Sequence, residues 1–208
     1  MAHLSRKRSR EAGSAMLEFC LCIVILMPLL LGLCGGGIAL VRQIELTQTS
    51  RDAGHLYSKG IDFSQAANQA LIVKIADSLN FGGMSPSGGI YLSTVTYITS
   101  ADCVAGGFPN GCANQKHYVI THQIKIGNPA PSSIGLAVNP DSGGNVSEAT
   151  YLNNSKDQVL SFSSDIGNLW TNLNEDGQLA YVSEASVQSS DLAWTGYFNN
   201  WLTAISYF

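Results

Sequence analysis

Apolar residues form one uninterrupted block near the start of the chain and scattered, periodic patterns after it. Between Phe19 and Val41 there are 23 residues without a single charge. At about 1.5 Å per residue this run spans roughly 34 Å as a helix, enough for a hydrocarbon core of ~30 Å. Beyond it, "VRQIELTQTSRDAGHLY" contains no proline, and Leu40, Ile44, Thr47 and Arg51 fall on one side at helical spacing. The spacing predicts that the helix continues, so that Ser14 to Tyr57 forms a rod of roughly 65 Å. A second helix is expected from about Ser64 as N-cap, with Ala67, Leu71, Ile75 and Leu79 at i+4 steps. "NFGGMSPSGG" then breaks it.

The distal pattern changes period. "GIYLSTVTYIT" and "HYVITHQIKIG" read as strands. In the second, strict alternation puts Tyr118, Ile120, His122, Ile124 and Ile126 on one face and His117, Thr121, Gln123 and Lys125 on the other. Residues 127–158 are rich in Pro, Gly, Asn and Ser and read as a long surface loop. "DIGNLWTNL" suggests a short helix and "GQLAYVSEASVQ" a further strand. Trp194, Tyr197, Phe198, Trp201, Leu202 and Ile205 fit helical spacing, although the last few residues could equally be a terminal strand. The pattern as a whole is α+β: a long N-terminal helix, then an antiparallel sheet whose strand order cannot be read.

Charge gives the block an orientation. Arg6, Lys7, Arg8 and Arg10 cluster before it. Positive residues stay on the cytoplasmic side of a membrane segment, so the distal part is expected outside. From Arg42 onward seven Lys or Arg face thirteen Asp or Glu. This acidic balance argues against nucleic-acid binding. A cleaved secretory signal has an apolar region of only about 7–15 residues followed by a small-residue cut site, and no such A-x-A pattern follows here. A lipoprotein reading would use Cys34, but the bulky Leu33 stands where a small residue belongs.

One residue is a misfit. Glu18 directly precedes the charge-free run, where a carboxylate costs several kcal/mol unless it is interfacial, paired or protonated. It follows Gly13 by five residues, in the order Gly13-Ser14-Ala15-Met16-Leu17-Glu18-Phe19. A basic leader, a glycine, this glutamate and an unbroken apolar helix resemble the class III signal of type IV pilins and pseudopilins. The narrower likeness of "AGSAMLEF" and the run that follows, through Tyr57, is to TadE-like proteins of tight-adherence (Flp) pilus systems. The chain departs from that pattern at Gly54-His55, where such proteins often carry Ala and Arg.

The resemblance implies a division into a leader, 1–13, cleaved by a prepilin peptidase between Gly13 and Ser14; a transmembrane and extended helix, 14–57; and an extracytoplasmic α+β domain, 58–208. It implies a single-pass protein of the bacterial inner membrane, with other pilins and assembly proteins as partners, and incorporation in a surface pilus as a further option. It also implies that Glu18, beside Phe19, neutralises the new N-terminal amine of a neighbouring subunit, since a buried charge needs an opposite one beside it. The expected role is a noncatalytic minor pseudopilin supporting pilus assembly. The alternative is a signal-anchored binding protein or adhesin using residues 127–158.

Within the apolar run, Pro28 removes one backbone hydrogen bond and should kink the helix. Gly32 and Gly36 form a G-x-x-x-G pair, read either as a helix–helix seam or as a flexible point at the membrane boundary. Cys20, Cys22 and Cys34 behave by default as small apolar side chains. Cys103 and Cys112, nine apart between the two strands, suggest a disulfide in an oxidising compartment, with a zinc pair as the alternative.

No catalytic constellation is recognisable. There is no G-x-S-x-G, Walker loop or H-E-x-x-H. His117 and His122 would point opposite ways from a regular strand, and His122 reads as a hydrogen-bonded core residue. Asn172, Asn174, Asp176 and Gly177 sit at EF-hand-like offsets, but the required Glu falls on Ser183, with Glu184 one place late. No enzyme activity, cofactor, metal or small-molecule substrate is expected.

Overall fold

The structure, a computed structural model, describes residues 3–82, 85–159, 178–188 and 201–208, with side chains from Ala15 onward. Its elements are α1 (His3–Ser58), α2 (Ala66–Ile75), β1 (Gly88–Tyr97), α3 (Ser100–Ala105), β2 (Tyr118–Gly127), α4 (Glu148–Asn153), β3 (Leu179–Gln188) and β4 (Trp201–Tyr207). Two compact units divide at Val41 and Arg42. The first consists of α1 residues alone. The second holds everything from Arg42 on and is an α+β domain built on one antiparallel sheet of order β2-β1-β3-β4.

In the first unit, α1 runs through Pro28 without interruption. Every large apolar side chain from Met16 to Val41 is exposed, between 41% at Ile23 and 73% at Met16. In the second unit, α1 buries Leu46, Thr49, Ser50, Ala53 and Tyr57. These are not the positions that the sequence grouped on one side: Leu40, Ile44 and Arg51 are exposed. The buried line is chosen by what fits against the sheet, where small residues let the backbone approach. The helix ends in a Schellman motif. Ile61 N–H bonds Leu56 O at 3.2 Å and Gly60 N–H bonds Tyr57 O at 2.9 Å, with Gly60 at φ 83°.

The second helix starts one residue later than expected. Its N-cap is Gln65, and Ser64 instead donates its N–H and hydroxyl to Asp62 Oδ1. Its buried line is also different. Ile72, Ala76 and Leu79 are buried, whereas Ala67, Leu71 and Ile75 are exposed. A short helix carries too little apolar periodicity to reveal which of two adjacent lines meets the core.

A bulge corrects the face assignment in β2. Thr94 pairs with His122, but Val95 pairs with Ile120, leaving Thr121 as the extra residue. An extra residue reverses the alternation. Ile124 and Ile126 pack under α1 with Ile90, Leu92, Ala185, Val187 and Ala204. Tyr118 and Ile120 turn to the opposite face with Val95, Ile134, Ala180 and Val182. The expected opposition of His117 and His122 loses its basis for the same reason.

A third cluster gathers Ile98, Cys103, Val119 and Leu152. Cys103 and Cys112 are disulfide-bonded, with Cα atoms 5.4 Å apart. Cys103 is presented by α3, whose start is a reciprocal cap: Thr99 Oγ1 accepts from Asp102 N–H at 3.3 Å and Asp102 Oδ2 accepts from Thr99 N–H at 2.7 Å. A closed loop of this size contributes roughly 2–3 kcal/mol in the chain-entropy account.

Trp201, Leu202 and Ile205 lie in β4, so the terminal-strand reading holds there. Trp194, Tyr197, Phe198 and the helix expected over 165–173 lie outside the described residues.

Candidate assembly site

The features expected to matter for assembly sit in the first unit. Glu18 and Phe19 lie side by side on α1, both exposed, at the entry to the charge-free run. Gly13 and Ser14 fall within the same helix. Gly32 and Gly36 are helical, and a Cβ added at either would meet nothing within 4 Å. Cys20, Cys22 and Cys34 are exposed thiols. Among the described residues, one helix is long and apolar enough to cross a membrane, and it is this one. An apolar surface of this extent is unfavourable in water and favourable in hydrocarbon, so the segment has the physical character of a bilayer span.

The second unit is organised around polar contacts that the sequence did not reveal. Ser50 on α1 donates to Ser183 O on β3 at 3.0 Å and lies 3.2 Å from Ser206 Oγ on β4. Ser183 Oγ in return donates to Ser50 O at 2.8 Å. All three serines are buried. Further along, Tyr57 hydroxyl lies 2.7 Å from Thr94 Oγ1 and also meets His122 Nδ1. His122 Nε2 donates to Gly143 O at 2.8 Å, which leaves Nδ1 to accept from Tyr57. The result is one chain of bonds from β1 through α1 and β2 to the following loop. Burial pushes the Tyr57 hydroxyl up to about 12, so it stays a neutral donor. His122 is thus the hydrogen-bonded histidine expected of it.

Residues 127–158 are not a free surface loop. Buried groups on the second face of the sheet hold them down. Glu184 accepts from Ser133 N–H at 2.9 Å and from the hydroxyls of Ser132 and Ser133. Ser186 Oγ accepts from Ala130 N–H at 2.7 Å, and Gln123 bonds both Gly135 O and Ala137 N–H. Asp157 Oδ1 accepts from Val138 N–H at 2.6 Å. Asp157 is fully buried and its Oδ2 has no partner among the described residues, so burial holds its pKa above the usual carboxylate range. Ile134, Val146 and Leu152 supply apolar anchors. A Gly/Pro/Asn/Ser-rich composition records turns, not the absence of buried partners.

Glu184, one place late for an EF-hand, is engaged with this segment; Asn172, Asn174, Asp176 and Gly177 lie outside the described residues. Among the described residues no cluster of three or more His, Cys, Asp or Glu could hold a metal ion.

A membrane-length apolar helix followed by a small antiparallel α+β domain defines a helix-anchored, single-pass class of protein. Residues 13–55 match the family described as TadE-like protein, which supports a TadE-like protein of the tight-adherence pilus system. The match begins at Gly13 and ends two residues before Tyr57, so it lies wholly within α1 and includes none of the strands. No curated protein and no solved structure matches the chain.

The departure at Gly54-His55 has a structural counterpart. A Cβ on Gly54 would lie 2.1 Å from the Phe208 ring, and the His55 and Phe208 rings are 4.8 Å apart. The glycine makes room for an aromatic residue that the sequence places far away.

Proposed function

We propose that this chain is a noncatalytic minor pseudopilin that supports assembly of a tight-adherence, type IV-like pilus from the bacterial inner membrane. The observation that carries this reading is the TadE-like match beginning at Gly13, on a helix whose apolar run opens with Glu18 and Phe19. In this reading a prepilin peptidase cuts after Gly13. Ser14 becomes the new N-terminus, its amine pairs with Glu18 of a neighbouring subunit, and the helix stays in the membrane. The paired charges offset the penalty that either would carry alone in hydrocarbon. Pro28, Gly32 and Gly36 shape the surface that this helix offers to other pilins.

N-terminal sequencing of the protein from assembled, functional material tests the cut. A first residue of Ser14 is expected, and an intact Met1 would overturn cleavage. Gly13→Leu should block maturation, while Glu18→Ala should leave maturation intact and abolish assembly. Assembly at wild-type level with Glu18→Ala would remove the glutamate from the mechanism.

The alternative reading, a surface binding protein using 127–158, predicts that deleting the segment abolishes ligand binding and leaves assembly intact. The bonds from Glu184, Ser186 and Gln123 favour a structural role for it, because its removal would leave those buried groups unpaired.

A further inference from the structure

The two edges of the sheet are treated differently. Along β2, the segment that follows it closes the edge: Gln123 N–H bonds Gly144 O at 2.8 Å, Val146 N–H bonds Thr121 O at 2.9 Å and Val159 N–H bonds Tyr118 O at 3.0 Å. Along β4, no strand or loop among the described residues does the same. The sequence of β4, "WLTAISY", has no charge, no proline and no glycine, so it lacks the usual means of discouraging an added strand.

Register shows which backbone groups face out. Phe208 and Tyr181 exchange both hydrogen bonds at 3.0 Å. Alternation in an antiparallel pair then points the backbone groups of Ser206 and Ala204 towards β3, and those of Ile205 and Thr203 outward. Gln43 on α1 already donates to the outward Thr203 O at 3.0 Å, which shows that this row accepts hydrogen bonds from a neighbour. Ile205, the next outward residue, is 39% exposed and makes no such contact among the described residues.

Beside this edge lies a groove of about 500 Å³ between Thr47, Arg51 and His55 of α1 and residues 205–208. The three helix residues follow Gln43 at i+4 steps. Among the described residues no Asp or Glu lines the groove; Asp52 follows Arg51 in sequence but is not part of its wall.

We propose that the groove between α1 and the outer edge of β4 takes an extended, acidic segment of a partner protein as an added strand. Its backbone pairs with the outward row at Ile205, and its carboxylates meet Arg51 and His55. A second copy docked by two-fold symmetry would instead set the Arg51 guanidinium against its own counterpart, which is unfavourable. The proposal concerns the distal domain and does not depend on cleavage or on pilus assembly.

The test uses the full chain in detergent micelles, titrated with a labelled eight-residue peptide that alternates Val or Thr with Glu, and with its Lys-for-Glu counterpart. The acidic peptide should bind, the basic one should not, and added salt should weaken binding. Arg51→Glu and, separately, Ile205→Pro should each weaken it at least tenfold. Proline at 205 removes only an outward N–H, so the β3–β4 ladder should survive, which circular dichroism checks. Should Ile205→Pro disturb the fold, Arg51→Glu alone decides. Binding of neither peptide, equal binding of both, or binding indifferent to Arg51→Glu would overturn the proposal. So would self-association abolished by Ile205→Pro without any peptide binding, which would assign the edge to a second copy.

Discussion

From Met16 to Val41, α1 is almost entirely apolar and almost entirely exposed. From Arg42 to Ser58 it carries Arg, Gln, Glu, Thr, Asp and His, yet buries Leu46, Ser50, Ala53 and Tyr57. Hydropathy and burial are inverted between two stretches of one helix because the stretches have different surroundings. The first is suited to lipid, where an apolar surface needs no protein partner and helices attract one another through close packing. The second is matched to a sheet, where small and hydroxyl-bearing residues allow close approach and satisfy one another's hydrogen bonds.

The sharpest way to break this contrast is to put the same charge into each stretch. Leu26→Arg should disfavour membrane insertion by about 2.5–3.5 kcal/mol, while Ile44→Arg, on the exposed side of the second stretch, should change stability by less than about 0.5 kcal/mol. A membrane-integration assay and denaturation of the detergent-solubilised chain compare them. Equal effects would erase the distinction.

Next in size is leucine at a small residue in each stretch. Ser50→Leu should destabilise the domain by about 2–3 kcal/mol, through overpacking and loss of the bonds to Ser183 and Ser206. Gly36→Leu should leave the same unfolding transition unmoved, since nothing lies within 4 Å of an added Cβ. Chemical denaturation monitored in the sheet domain reads both.

Cysteine substitutions sharpen the contrast further. Cys103→Ser with Cys112→Ser should lower stability by roughly 2–3 kcal/mol, and reductant should lower the wild-type Tm. Serine at Cys20, Cys22 and Cys34 should leave that Tm where it is, because these thiols are exposed and none is a member of the buried core.

The smallest effect concerns pH. Asp157 is buried with its pKa raised by desolvation. Between the ordinary carboxylate pKa and this raised one, the folded state binds more protons than the unfolded state, so stability falls as pH rises through that window. Above it the penalty is fully present. Asp157→Asn retains an acceptor for Val138 N–H and removes the charge, so its unfolding free energy should vary less with pH there. The exposed Asp62 and Asp141 have lowered pKa values, held down by bonds from Ser64 and from Asn145, and work in the opposite sense. Their contribution is present above the ordinary pKa and lost as pH falls. Parallel denaturation curves from acid to neutral pH for wild type and Asp157→Asn check the sign.

Long-range features were legible in proportion to how local their physics is. The apolar run, the basic cluster before it, the strands at 89–99 and 117–127 and the disulfide could be read because each is announced by neighbours in the chain. The bulge at Thr121 could not, since it exists only relative to β1, and it reversed the faces of Tyr118 and Ile120. Ser50, Ser183 and Ser206 looked like ordinary polar residues until the fold brought them within 3.2 Å. The alternation marks His122 as a hydrogen-bonded core residue, but its partners Tyr57 and Gly143, and Thr94 beyond Tyr57, exist only through tertiary contacts.

By itself, the sequence determined the membrane-length helix, its misfit glutamate, the TadE-like character of its start and the α+β class. These follow from period, charge and composition, which act over a few residues. Tertiary structure alone decided which line of each helix meets the sheet, that residues 127–158 form a pinned layer, and that this layer closes the β2 edge while no described strand or loop pairs along β4. Those outcomes depend on the pairing of groups well separated in the chain, by 133 residues for Ser50 and Ser183, and no local rule links them.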